Sequence, residues 1–335
     1  MMTDFYPRNM CAKLFALAIA LIPLSVFASI AAADIEALKS AWPRTDFSKT
    51  TVDLAEIFSG GIPRDHIPAI DQPTIGTLAQ GADAYDPREP VITVAVNGQI
   101  RGYPLTILVW HEIVNDRLGD VPITVTYCPL CSSAVVFDRR VGDRVLDFGV
   151  SGNLRFSDLV MYDRQTESWW QQFTGTGIVG EYAGTELAIL PVRVEPFGVF
   201  AARNPNADVL LRPPGFPRNY GVNPYAGYDT GDSPLFPGIP EPEGIAPLAY
   251  VVAVENQAWS LELLKRKKRI ETDDLVLTWQ TGQLSVLDIA YIKEGRDIGY
   301  VTVQRKQDGG LVEVLHDMTF AFAFNAFRPD GTIHQ

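Results

Sequence analysis

Val94-Ala95-Val96-Asn97-Gly98-Gln99 recurs downstream as Val252-Ala253-Val254-Glu255-Asn256-Gln257. In the first copy Asn97-Gly98 separates two alternating runs, and both residues tolerate the positive φ of a two-residue hairpin turn. After it, Pro104 opens a predicted helix through Asn115, since proline is tolerated in a first helical turn. Ile123 to Tyr127 reads as a strand leading into Cys128, and Ala134 to Phe137 as the next strand. Val145 to Val150 is expected to pair with that strand across the Gly142-Asp143 turn. Val125-Thr126-Tyr127 recurs as Leu277-Thr278-Trp279, and Ile298 to Gln304 and Leu311 to Leu315 flank Asp308-Gly309-Gly310 as another hairpin. The expected fold is α+β: mostly antiparallel β with a few short helices, in two weakly related halves.

Those halves occupy residues 90–203 and 248–335. Between them, residues 204–247 carry Pro213-Pro214, Pro217, Pro224, Pro234, Pro237, Pro240, Pro242 and Pro247. That density excludes regular helix and central strand and predicts a long ordered loop or a linker. Phe216, Tyr220, Tyr225 and Tyr228 within it argue that it packs onto the rest.

Residues 1–33 read as a signal peptide and 34–89 as an N-terminal segment. Arg8 and Lys13 form a basic start, Leu14 to Ile30 is mostly apolar, and Ala31-Ala32-Ala33 offers a cleavage site. The alternative is an uncleaved anchor, because about 20 apolar residues just span a bilayer. Either way the folded part is expected outside the cytoplasm, periplasmic or secreted. Cys11 precedes the apolar run, so lipidation is not expected. Removing residues 1–33 takes away Asp4, Arg8 and Lys13 and moves the net charge from −12 (28 basic, 40 acidic) to −13 (26 basic, 39 acidic). Such a charge disfavours nucleic acid and anionic lipid as partners. The basic run Lys265-Arg266-Lys267-Lys268-Arg269 reads as a solvated face, and no membrane association is expected beyond the N-terminal segment.

With the leader removed, Cys128 and Cys131 are the only cysteines left, within Thr126-Tyr127-Cys128-Pro129-Leu130-Cys131. Two thiols at this spacing ligate one metal ion, form a small disulfide, or cycle between the two states. In the metal reading, His111 on the packed side of the predicted helix is the third ligand. Glu112, Tyr127 and Asp138 would orient the ligands, and thiolate plus imidazole suits copper or zinc. In the redox reading Cys128 is the nucleophile and Cys131 the resolving thiol of a thiol-disulfide oxidoreductase. The segment after the pair, Ser132 to Phe137, is β-branched, so no helix N-terminus would stabilise a thiolate. In the third reading the pair is a structural disulfide in a non-catalytic binding module. Aligning the recurrences sets Cys128 against Gln280 and Cys131 against Gln283. The second half thus keeps the turn without thiols, which points to function for the first.

Other candidates are weaker. Asn115 stands where a His-Glu-x-x-His protease has its second histidine. Ser151-Gly152-Asn153-Leu154-Arg155 with Ser157-Asp158 reads as a turn or a substrate loop. Asp163 to Trp170 reads as a hairpin tip leading into a Trp pair. Ser151, Asn153, Trp169, Trp170, Tyr225 and Tyr228 are candidate pocket residues.

Trp110-His111-Glu112-Ile113-Val114-Asn115-Asp116 and Thr126 to Ala134 with Phe137-Asp138-Arg139 resemble the bacterial family labelled domain of unknown function 3179. Gly149 to Gly152, Asp163 to Trp170, Asn223-Pro224-Tyr225 and Tyr228-Asp229 support it, over roughly Pro90 to Pro329. The resemblance implies no mechanism. Similar proteins tend to have Trp residues and a His in the terminal block, where this chain has Phe324 and Arg328.

Overall fold

Among the described residues, alternating apolar runs broken by turn residues fold into five sheets of four or five strands, in a propeller-like arrangement, and one two-stranded ribbon, Arg140–Val141 with Arg144–Val145. The computed structural model describes residues 36–236 and 238–335. The expected leader, Cys11 included, lies outside the described residues. Residues 36–41 are helical, and Trp42–Gln335 forms one unit. Among the described residues, no helix is long and apolar enough to cross a membrane.

The sheet that carries the cysteines has the order Ile189–Leu190, Ser133–Asp138, Val121–Cys128, Ile113–Leu118. Beside it runs Val192–Pro196, Pro90–Val96, Gln99–Pro104, Asp208–Leu210, Ile75–Thr77. A third sheet contains the hairpin Phe148–Arg155/Asp158–Asp163 with Ile57–Ser59, Trp169–Gln171 and Gly177–Val179. The last two are Asp317–Phe320, Tyr250–Val254, Gln257–Ser260, Thr332–His334, and Arg269–Glu271, Leu275–Gln280, Tyr300–Gln307, Gly310–Glu313. Neighbouring strands are antiparallel except where Asp208–Leu210 joins Gln99–Pro104 and Thr332–His334 joins Gln257–Ser260.

The Asn97-Gly98 hairpin pairs Val94 with Arg101 and Val96 with Gln99, and Asn97 and Gly98 have φ of 48° and 79°. The Glu255-Asn256 hairpin pairs Val252 with Trp259 and Val254 with Gln257, with Glu255 at φ 54°. A seven-residue helix follows each, Leu105–His111 and Leu261–Lys267. Each helix is stopped by a residue with positive φ, Glu112 at 59° and Lys268 at 64°. The Glu112 carbonyl accepts from Tyr127 N and the Lys268 carbonyl from Trp279 N, both at 2.8 Å.

Three expectations are corrected. The first helix ends at His111 and does not reach Asn115. Ile113 and Val114 are β-branched and pair with Thr126 and Val125, which a left-handed Glu112 allows. Val145 pairs with Arg140, not with the Ala134 strand, and Phe148–Arg155 crosses to another sheet. The proline-rich stretch does contain an internal strand, Asp208–Leu210, placed before Pro213 where every N–H can still donate.

Candidate metal centre

Cys128 ends the strand Val121–Cys128, and Cys128 pairs with Ser133 across the turn Pro129–Ser132. Ser132 closes that turn with φ 51°, and its N–H donates to the Pro129 carbonyl at 3.3 Å. Both cysteines carry free thiols, at 1 % and 0 % exposure. The tip of another hairpin meets them. Phe156 and Ser157 both have positive φ, as a two-residue hairpin turn requires, but neither is the glycine or asparagine that adopts it cheaply. This strained tip places the Ser157 carbonyl oxygen 3.5 Å from Cys131 Sγ and 3.8 Å from Cys128 Sγ.

The next residue, Asp158, completes the cluster. One of its carboxylate oxygens and the two sulfurs lie within 4.8 Å of one another. Asp158 is fully buried. Its Oδ2 accepts from Gln171 Nε2 at 2.6 Å and from the Phe173 N–H at 2.9 Å. Its Oδ1 accepts from no N–H or O–H donor among the described residues, which leaves the neighbouring thiols as the donors to this carboxylate. Burial pushes the Asp158 carboxyl up to about 6 and the two thiols above their usual range. Glu112, pushed up to about 7 by the same cause, adds a fourth acid close enough for its charge to act on Cys128. Among the described residues no lysine or arginine bonds to any of the four. Burial without a basic partner keeps these acids protonated, and a bound cation would replace those protons.

Distant segments seal the turn. The Thr319 hydroxyl donates to the Cys131 carbonyl at 2.7 Å, and the Phe320 N–H to the same oxygen at 3.0 Å. From the proline-rich stretch, Tyr228 donates to the Leu130 carbonyl at 3.0 Å and Tyr225 to Glu112 Oε1 at 3.2 Å. Tyr220 Oη lies 2.7 Å from His111 Nε2.

That last contact removes His111 as the expected third ligand. Its Nδ1 is held 2.7 Å from the Pro68 carbonyl, so both ring nitrogens face other partners, and Asp158 takes the place beside the sulfurs. Asp138 also stands apart. It pairs with Ile123, five residues along the ladder from Cys128 (about 17 Å at strand spacing), and its carboxylate binds Arg140. Tyr127 is buried, and burial pushes its phenol up against the opposing pull of a Ser132 hydrogen bond. Ser151 donates to the Val160 carbonyl at 2.5 Å and caps the Asn153 N–H at 3.0 Å. Trp169 and Trp170 are fully buried, and Trp170 Nε1 donates to Asp163 at 2.9 Å. Asp158 was missed because it read as part of a polar turn. The available signal was an aspartate opening an otherwise apolar strand, Leu159-Val160-Met161-Tyr162.

A family model described as protein of unknown function (DUF3179) matches residues 64–331. No curated protein and no solved structure matches the chain.

Proposed function

We propose that this chain, which belongs to the DUF3179 family of proteins of unknown function, holds one soft transition-metal ion through Cys128, Cys131 and Asp158. The observation that carries this reading is the buried cluster itself: two free sulfurs and one Asp158 carboxylate oxygen within 4.8 Å of one another. Tetrahedral zinc with bonds of ~2.0–2.3 Å sets its donors ~3.8 Å or less apart, and the three donors here lie within 4.8 Å of one another. Two thiolates suit copper as well, but a carboxylate oxygen in place of imidazole favours zinc. A fourth donor would come from the Ser157 carbonyl, 3.5 and 3.8 Å from the two sulfurs.

The dithiol oxidoreductase reading has less support, because burial holds both thiols above the range in which a nucleophilic thiolate forms. We also read the two hairpin–helix–strand units as related copies, supported by their matching registers and positive-φ helix stops. Export is supported by the basic start, apolar run and alanine triplet of residues 1–33.

The test is metal analysis of the full chain after reconstitution with zinc or copper(I). One ion per chain is expected in the wild type and in His111→Ala, with stoichiometric binding lost in Cys128→Ser and Asp158→Asn. Metal-free wild type, or Asp158→Asn loaded as fully as wild type, would overturn the assignment.

A further inference from the structure

The cysteine centre leaves the basic run at residues 265–269 without a role, and its members differ in surroundings. Lys268 Nζ lies 3.7 Å from the centroid of the Trp279 ring, and Arg269 pairs with Glu271 at 2.7 Å. Lys265 and Arg266 form no ion pair among the described residues. Both line a cavity of about 490 Å³ between the helix Leu261–Lys267, residues 244–250 and the loop at 296–298. That volume suits a small organic molecule.

The carboxylates of this cavity are mostly committed elsewhere. Asp229 is buried and receives Tyr250 Oη at 3.0 Å, Ser285 Oγ at 2.5 Å and Arg296 Nη2 at 2.8 Å. Asp297 accepts the N–H groups of Gly282 and Gly299 at 3.0 and 2.8 Å. Arg296 is in turn fixed by Asp229 and Asp288. Glu262 alone among the lining acids has no partner among the described residues, against two uncommitted cations. Ile245, Leu248, Leu261 and Ile298 give the cavity an apolar side, opposite polar groups of Ser260 and Gln335. A cationic rim over an apolar floor is unusual on a chain of net charge −12.

We propose that this cavity binds a small organic anion, its carboxylate or phosphate head at Lys265 and Arg266 and its apolar body against Leu248, Leu261 and Ile298. The site is independent of the metal reading. The two cations give the head a charge-assisted contact, and the apolar wall selects against a bare inorganic ion.

Calorimetric titration of the full chain at low ionic strength tests this with octanoate, octyl phosphate, inorganic phosphate and 1-octanol. One site for octanoate or octyl phosphate is expected, and the tighter of the two identifies the head. The pair Lys265→Glu/Arg266→Glu should weaken it by about tenfold or more, while Lys267→Glu, on the same helix but outside the cavity, stays within about twofold. The proposal fails if neither organic anion binds. It also fails if 1-octanol or inorganic phosphate binds as tightly as they do, or if Lys267→Glu weakens binding as much as the pair.

Discussion

Tyr228 donates its hydroxyl to the carbonyl of Leu130, inside the Cys128–Cys131 turn, across 98 residues of sequence. Both groups are buried. Tyr228→Phe leaves that carbonyl without its donor, and an unsatisfied buried acceptor costs about 1–3 kcal/mol. Urea unfolding of the variant should show a midpoint lowered to match, with the m-value unchanged. An unchanged midpoint would mean that the proline-rich stretch does not hold the turn.

Glu112 gives the metal-free protein a pH dependence of defined sign. Its carboxyl is raised from 4.5 to about 7 by burial, so between those values the folded state binds more protons than the unfolded one. Stability is therefore full below about pH 4.5 and falls as the pH rises toward 7, by up to about 3 kcal/mol from this group. Glu112→Gln keeps an acceptor for Tyr225 and should flatten that slope. Denaturation midpoints at pH 5 and pH 8 measure it, and an equal slope in both proteins refutes the assignment.

Metal binding should show its own proton count. Both thiols titrate above 9.0 in the free site, so two protons leave for each ion bound near neutral pH. Below about pH 6 the Asp158 carboxyl adds a third. The logarithm of the dissociation constant should then fall with a slope of about two per pH unit between 6 and 9, and more steeply below 6. Competition titrations with a chromophoric chelator read this directly. A slope near zero would exclude thiolate ligation.

Gly152 belongs to the bulge that separates Val150 from Leu154 in the hairpin carrying Asp158. It has φ 80°, and a Cβ there would strike the Ile62 carbonyl oxygen. Gly152→Ala combines left-handed strain with a backbone clash and should destabilise the protein by about 2 kcal/mol or more. Thermal unfolding checks this, and a neutral alanine would show that the bulge yields.

What was legible in the sequence was local chemistry. Asn97-Gly98 announces its hairpin because few residues adopt positive φ cheaply, and Cys128 to Cys131 announces a turn by its spacing. Residues placed by partners far along the chain were not legible. Helix propensity ran past His111, because nothing local says that Ile113 and Val114 will find Val125 and Thr126. His111 looked like a ligand by proximity, yet its ring answers to Pro68 and Tyr220, 43 and 109 residues away. Asp158 was hidden for the same reason. Its role depends on a hairpin tip from another sheet reaching the thiols.

The hydrogen bond from Thr319 to the Cys131 carbonyl spans 188 residues, and this gives assembly a direction in time. Strands Val121–Cys128 and Ser133–Asp138 can form as soon as they exist, since their contacts are local. The Cys131 carbonyl is not bonded until Asp317–Phe320 comes back to it, after the Ser157 tip and Tyr228 have already been made. Until then the two thiols lie under an incomplete cover. Whichever ion, oxidant or chaperone is present where the chain finishes folding meets them first. If the proposed ion binds there, the place where folding ends takes part in its loading beside the affinity of the finished site.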